Sequence, residues 1–239
     1  MGKKVIIVLL ILLVLTPFPV FARAGGGSSG GSGGSGGSGS SSSRHIHGSG
    51  EYNRNPIVRV ASYLGFGSIL VATGGLVVYK RRKYAMNLHR DAKEQLDILD
   101  DQDIFWNERD IKKKVEHCYY VIQEAWSKQD LDTLNKYLTP SLYEAWIIKL
   151  NWQKYKGQRN VLKSIKLLKH DVVSLYDSEN DDEDYFWVYI EGKMDDRMID
   201  DQNQIIESNN DTFVEYWKFL RDGEEIKLDM ILQQDEFEK

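Results

Sequence analysis

The hydrophobic and polar positions divide the chain into two apolar runs, a tract without apolar residues between them, and a long segment whose spacing changes from helical to alternating. Lys3 and Lys4 precede the run Val5 to Leu15, which is about half the length needed to cross a bilayer and is read as a signal-peptide core. Pro17 and Pro19 break its helix, and Ala22-Arg23-Ala24 places small residues at the spacing a signal peptidase prefers. Cleavage after Ala24 is expected; the alternative is an uncleaved anchor, which gives a hairpin with both ends inside. Residues 25–43 are all Gly or Ser, a composition that buries too little apolar surface to offset the entropy of ordering. From Val60 to Tyr79, twenty residues carry no charge and are followed at once by Lys80, Arg81, Arg82 and Lys83. That pattern predicts a transmembrane helix with a cytoplasmic basic flank, placing the remainder of the chain inside the cell.

Beyond the flank, Ala85, Leu88, Ala92, Leu96 and Leu99 keep a helical spacing and predict a helical stalk. Ile111, Val115, Cys118, Ile122 and Ala125, with Tyr119 and Trp126 beside them, mark a buried stripe over four turns. Asp130 can cap a short helix from Leu131 to Leu138, and Pro140 can open a third, running through Tyr143, Trp146, Ile147, Leu150 and on to Trp152, with an end at Lys156-Gly157. The pattern then changes to strands at about Ser164 to Tyr176, Tyr185 to Met194, Thr212 to Arg221 and Glu225 to Gln233. Helical segments followed by antiparallel strands predict an α+β fold. The expected organisation is a signal peptide over 1–24, a disordered segment over 25–56, a transmembrane helix over 57–79, a basic flank and stalk over 80–102, and a folded cytoplasmic domain over 103–235.

Charge sharpens this division. Residues 1–83 hold ten Lys/Arg and one acid, whereas residues 84–239 hold 21 Lys/Arg and 35 Asp/Glu, so the folded part carries −14. Phosphate binding draws on clustered positive charge, so nucleic acid is not an expected partner. The basic quartet Lys80 to Lys83 sets topology and can also attract anionic lipid headgroups. Cys118 is the only cysteine, which excludes an intramolecular disulfide and suits a reducing compartment. It lies on the buried stripe and reads as a core residue, and neighbouring His117 has no acid or thiol at a catalytic spacing.

His45 and His47 sit on a polar linker, a poor setting for a metal. The acidic stretches Asp177 to Asp184 and Asp195 to Asp201 lack the calcium-loop spacing and read as solvated hairpin loops that discourage edge pairing. No phosphate loop, Cys pair or zinc motif is present, so no metal or cofactor is expected. Within the strands, Phe213, Glu215, Trp217 and Phe219 share one face by the period of two, which sets a carboxylate among aromatics. Glu215 is then either a buried acid with a raised pKa or a polar partner, or a Glu paired across the sheet with Lys or Arg. Tyr185, Trp187 and Tyr189 form a second aromatic face.

These residues carry a resemblance. Val121 to Trp126, Asp130-Leu131, Leu134, Tyr137 to Pro140 and Leu142-Tyr143 resemble the helical half of the Tim44-like domain. Phe213 to Arg221, followed by Gly223 and Ile226 to Asp229, is similar to its closing hairpin. The N-terminal layout resembles that of bacterial members. The resemblance implies a cone-like fold related to nuclear transport factor two, with helices packed across a curved antiparallel sheet, and a role in membrane-associated binding. A mitochondrial relative tethers a chaperone motor to the import channel, and another relative helps dock the ribosome to the membrane. The N-terminus is not an Arg-rich transit peptide, so the import role is not carried over.

The expected function is a membrane-anchored binding or tethering module at the inner face of the cell membrane. Its expected partners are lipid and a cytoplasmic protein segment, with Phe213, Glu215, Trp217 and Trp187 as binding candidates. The first alternative is a ketosteroid-isomerase-like enzyme or small-molecule binder using Glu215 in an open cone pocket. The second is a scaffold that forms homo-oligomers through small residues such as Ser68 and Ala72.

Overall fold

The computed structural model of the chain describes residues 79–238. The expected signal peptide, Gly/Ser segment, His45/His47 pair and transmembrane helix up to residue 78 lie outside them. Among the described residues no helix is long and apolar enough to cross a membrane. Residues 79–87, which are helical and include the exposed Lys80, Arg81, Arg82 and Lys83, belong to one compact unit, and residues 88–238 belong to the other.

The second unit begins with α1 over residues 88–100. The helix read as a stalk delivers Ala92 and Leu96 into the hydrophobic core. A 3-10 turn at Ile104–Trp106 leads into α2, Glu108–Lys128. The Asn107 side chain caps this helix by accepting from the Asp110 N–H, and Gln129 ends it in the left-handed conformation at φ 56°. Asp130 caps α3, Leu131–Tyr137, and Thr139 with Pro140 opens α4, Pro140–Tyr155, which stops at Lys156 before Gly157 at φ 63°.

Five antiparallel strands follow: β1 Gln158–Tyr176, β2 Tyr185–Asp200, β3 Ile205–Asn209, β4 Thr212–Asp222 and β5 Glu225–Gln233. The order is β1-β2-β4-β5, and β3 pairs with the far end of β2. A last turn of helix, α5, covers Gln234–Phe237. The α+β architecture with an antiparallel sheet is therefore as the spacing predicts.

Two acidic stretches depart from expectation. The stretch Asp195 to Asp201 is expected as loop, but through Asp200 it continues β2, because its charges are met within the sheet. Asp195 receives both Arg197 Nε and Nη2, the latter at 2.7 Å, and Asp196 accepts from Asn160 Nδ2 at 2.6 Å. A paired carboxylate no longer resists strand pairing. The other stretch, Asp177 to Asp184, is a connection as expected, yet Asp184 is fully buried rather than solvated. Strand β1 also starts earlier than Ser164. That residue has φ 51° and sits at a break in the β1–β2 register, so the alternation restarts there and hides the first half of the strand.

The register fixes which face packs on the helices. Phe186 lies opposite Phe219, Val188 opposite Trp217, Ile190 opposite Glu215 and Gly192 opposite Phe213. Phe186, Val188, Ile190, Phe213, Trp217 and Phe219 join Ile111, Val115, Ile122 and Trp126 of α2 in one core. A bulge between Lys218 and Phe219 inserts one extra β5 residue, so β5 turns Ile226 and Leu228 inward, then Ile231 and Gln233. At Gly192 the side chains of Tyr119 from α2 and Phe213 from β4 lie directly against the β2 backbone. A Cβ there would stand 2.5 Å from Phe213 Cζ and 2.6 Å from the Tyr119 hydroxyl. Gly192→Ala is therefore expected to cost about 1–3 kcal/mol through overpacking. A urea midpoint unchanged from the parent would contradict that reading.

Candidate functional site

Strand β4 carries the sequence candidates on its inner face. Phe213, Glu215, Trp217 and Phe219 are all buried, and Trp217 meets the Tyr119 ring at a centroid distance of 5.5 Å. Glu215 is 0% exposed. Its carboxylate accepts from Trp217 Nε1 at 3.0 Å and from Gln233 Nε2 at 3.3 Å. The indole belongs to the same face two residues on, and Gln233 is its register partner on β5. A buried carboxylate needs such donors, since desolvation without them is strongly unfavourable. At this exposure a solute does not reach Glu215 unless packed aromatics move aside, whereas acid/base chemistry on a bound substrate needs an accessible group.

Two open surface cavities lie elsewhere among the described residues. One, of about 460 Å³, is lined by Glu108, Arg109, Lys112, Lys113, Glu116 and His170. Burial, with the nearby Lys112 ammonium, lowers the His170 pKa. Lys112 also donates to Asp171 at 2.8 Å; burial pushes the Asp171 carboxyl up, but bonds from Lys112 and Lys169 outweigh it and hold it below its ordinary value. The other cavity, of about 480 Å³, follows the β2–β3 hairpin around Asp195, Arg197 and Glu207. Neither includes Phe213, Glu215 or Trp217. Among the described residues no cluster of three or more His, Cys, Asp or Glu is arranged to hold a metal. Cys118 is buried, and burial together with Glu225 pushes its thiol to about 12, far from a reactive thiolate. His117 meets the Tyr137 hydroxyl at 3.0 Å.

Trp187 is separated from the other three candidates by the pleat. It lies opposite Lys218 on the outer face of the sheet, half-buried, with its ring edge-on to Phe237 at 5.2 Å. Phe237 also stacks on Tyr216 at 3.9 Å, so α5 folds back over one part of this face. Beyond it the face stays open. Tyr176 is 48% exposed and stacks on Tyr185 at 5.3 Å, Lys218 Nζ sits 4.5 Å over the Tyr185 ring, and Met230 is 43% exposed. The acidic connection from Asp177 to Asp184 rims it by direct chain continuity. Alternation in β2 marked Trp187 and Tyr185. Tyr176, Met230 and Phe237 lacked a signal, since two lie at strand positions next to bulges or ends and the third lies in a charged terminus.

The family model described as the Tim44-like domain matches residues 92–230. Among solved structures, the crystal structure of the intermembrane space region of the chloroplast protein ARC6 is similar, with 14% identity and a TM-score of 0.41, covering 53% of this chain and 95% of that one. No curated protein matches.

Proposed function

Because the chain belongs to the Tim44-like domain family, we propose that it is a membrane-tethered binding module whose outer sheet face holds a segment of a protein partner. The observation that carries this reading is the contrast between the two faces of the sheet. The inner face is consumed by the core around Trp217 and Glu215. The outer face presents Tyr176, Tyr185, Trp187 and Met230 around Lys218. Aromatic side chains offer large contact area at low entropic cost, which suits recognition. The acidic rim favours an apolar segment with basic flanks. In this reading the apolar run at 60–79 holds the domain at the cytoplasmic surface of the cell membrane.

The test is affinity purification of the full chain from mild detergent extracts, compared with the Tyr176→Ala/Met230→Asp variant. Both positions are exposed, so the fold is expected to persist, which a thermal midpoint checks. Selective loss of a discrete protein from the variant's profile is the expected result. Identical profiles would overturn the assignment of this face.

A further inference from the structure

Among the described residues, β1, β5 and β3 have a strand neighbour on one side only, and two of the three are covered on the other. The Leu162 N–H of β1 donates to Ser127 Oγ at 2.9 Å and the Leu167 N–H to the Tyr120 hydroxyl at 3.2 Å, both from α2. The Val172 carbonyl accepts from His89 Nδ1 of α1 at 2.9 Å. β5 is closed by the link into α4, where Leu138 bridges to Leu228 and the Thr139 N–H donates to the Leu228 carbonyl at 2.9 Å. Such covers protect a sheet from pairing with foreign strands. β3 has no cover among the described residues. It bonds to β2 alone, which leaves the backbone donors and acceptors of its other side facing outward.

The side chains of β3 suit docking. Ile205 and Ile206 are 55% and 50% exposed although they are adjacent, because the register sets one extra β3 residue between the pairs Met198–Glu207 and Ile199–Ile205. Two exposed β-branched residues beside an open edge offer apolar contact next to unpaired backbone. The cavity of about 480 Å³ alongside, lined by Arg197 of β2 and by Glu207 and Asn209 of β3, gives room to the side chains of an added strand.

Charge selects what can pair there. Residues 195–211 hold six acids and one basic residue, Arg197, which is tied to Asp195. Glu207 and Asp211 line the cavity with no ion pair among the described residues. A second copy is disfavoured by the same charge. Antiparallel pairing of β3 with itself centred on Glu207 sets that carboxylate opposite its own counterpart. Acids that refuse a like strand admit a basic one.

We propose that the open edge of β3 takes an extended, Lys/Arg-bearing segment of a protein partner as an added strand. The segment's backbone pairs with Ile205–Asn209, its apolar residues meet Ile205 and Ile206, and its cations meet Glu207 and Asp211. This site is separate from the aromatic outer face. Asp196, which pairs with Asn209 of β3, stands about 30 Å beyond Trp187 along β2 if the strand is extended.

The experiment follows hydrogen–deuterium exchange in the full chain, held in mild detergent, with a short peptide alternating Lys and Val. Two further peptides serve as controls. One alternates Glu and Val; the other is the Lys/Val peptide N-methylated throughout, which keeps the charge and loses every backbone donor. The expected result is exchange over 205–209 slowed at least about fivefold by the unmodified Lys/Val peptide alone. No slowing is expected in a Glu207→Lys/Asp211→Lys variant that keeps the parental thermal midpoint. Unchanged exchange over 205–209 overturns the proposal, and equal slowing by the N-methylated peptide overturns strand pairing in favour of charge alone. Slowing over 176–184 in place of 205–209 assigns the peptide to the acidic rim of the other face and overturns it too. Slowing that grows with protein concentration without peptide assigns the edge to a second copy, with the same consequence. The aromatic-face reading is judged separately, by the purification profile of the Tyr176→Ala/Met230→Asp variant.

Discussion

Replacing Arg221 by Leu is expected to lower stability by about 3–5 kcal/mol at neutral pH, the cost of stranding a buried charge. Arg221 is the point where three segments meet. Its Nη1 donates to Asp103 of the turn before α2 and to Asp184 at 3.1 Å, Nη2 meets Asp181 at 3.2 Å, and the guanidinium lies 4.3 Å over the Phe105 ring. Asp184 is fully buried and also receives the Ser178 N–H at 2.7 Å. Removal of the guanidinium therefore leaves that carboxylate without its counter-ion. Asp103 and Asp181 are more exposed, and their pairs contribute less.

The loss is expected to shrink in acid. Burial pushes Asp103 up, but the Phe105 N–H and Arg221 outweigh it and hold its carboxyl below the ordinary value. Such a depressed group contributes stability above its ordinary value, near pH 4, and that contribution is lost as pH falls through the folded value. Asp184 moves the other way: burial raises it more than Ser178 and Arg221 lower it. Its contribution is present below the ordinary value and is lost as pH rises through the folded one. Protonating both carboxyls removes what Arg221 holds. Urea titrations of parent and variant should converge between about pH 5 and 3; a gap that stays constant over that range would contradict this account.

Trp217→Ala is expected to cost about 3–5 kcal/mol, because the indole is wholly buried against Tyr119 and Phe219. Trp217→Phe separates volume from hydrogen bonding. It keeps most of the ring contact but removes the donor to Glu215, for which about 1–3 kcal/mol is expected. If Trp217→Phe proved neutral, or if Trp217→Ala retained parental stability, the inner face would be a loosely filled pocket and the contrast between the two faces would be lost.

How far the fold was readable follows from which signals are local. The α2 stripe, the Asp130 and Thr139-Pro140 caps and the alternation of β4 are local, and each stands where spacing placed it. The second half of β2 is hidden because its acids look like loop until Arg197, two residues on in the same strand, and Asn160 of the neighbouring β1 meet them. The short β3 has too few residues for a periodic signal. Glu215 could be placed on an aromatic face from β4 alone, but its donor Gln233 comes from the register with β5, which depends on a bulge. The exposed side of α4, with Ile148, Trp152 and Tyr155, is hidden for a related reason. Apolar residues on both sides of a helix cancel the amphipathic pattern, so Trp152 read as a continuation of the core stripe, although it faces solvent.

The central claim, that partner contacts lie outside a closed inner face, is tested most directly by photocrosslinking in native membranes. A photoreactive residue is placed in turn at Tyr176, on the open outer face, and at Trp217, in the core, of the full chain. The expected result is a discrete protein adduct from position 176 and none from position 217, in chains that each still unfold in a cooperative thermal transition. Adducts from 217 together with silence at 176 would contradict the account and return the binding site to the inner face of the sheet.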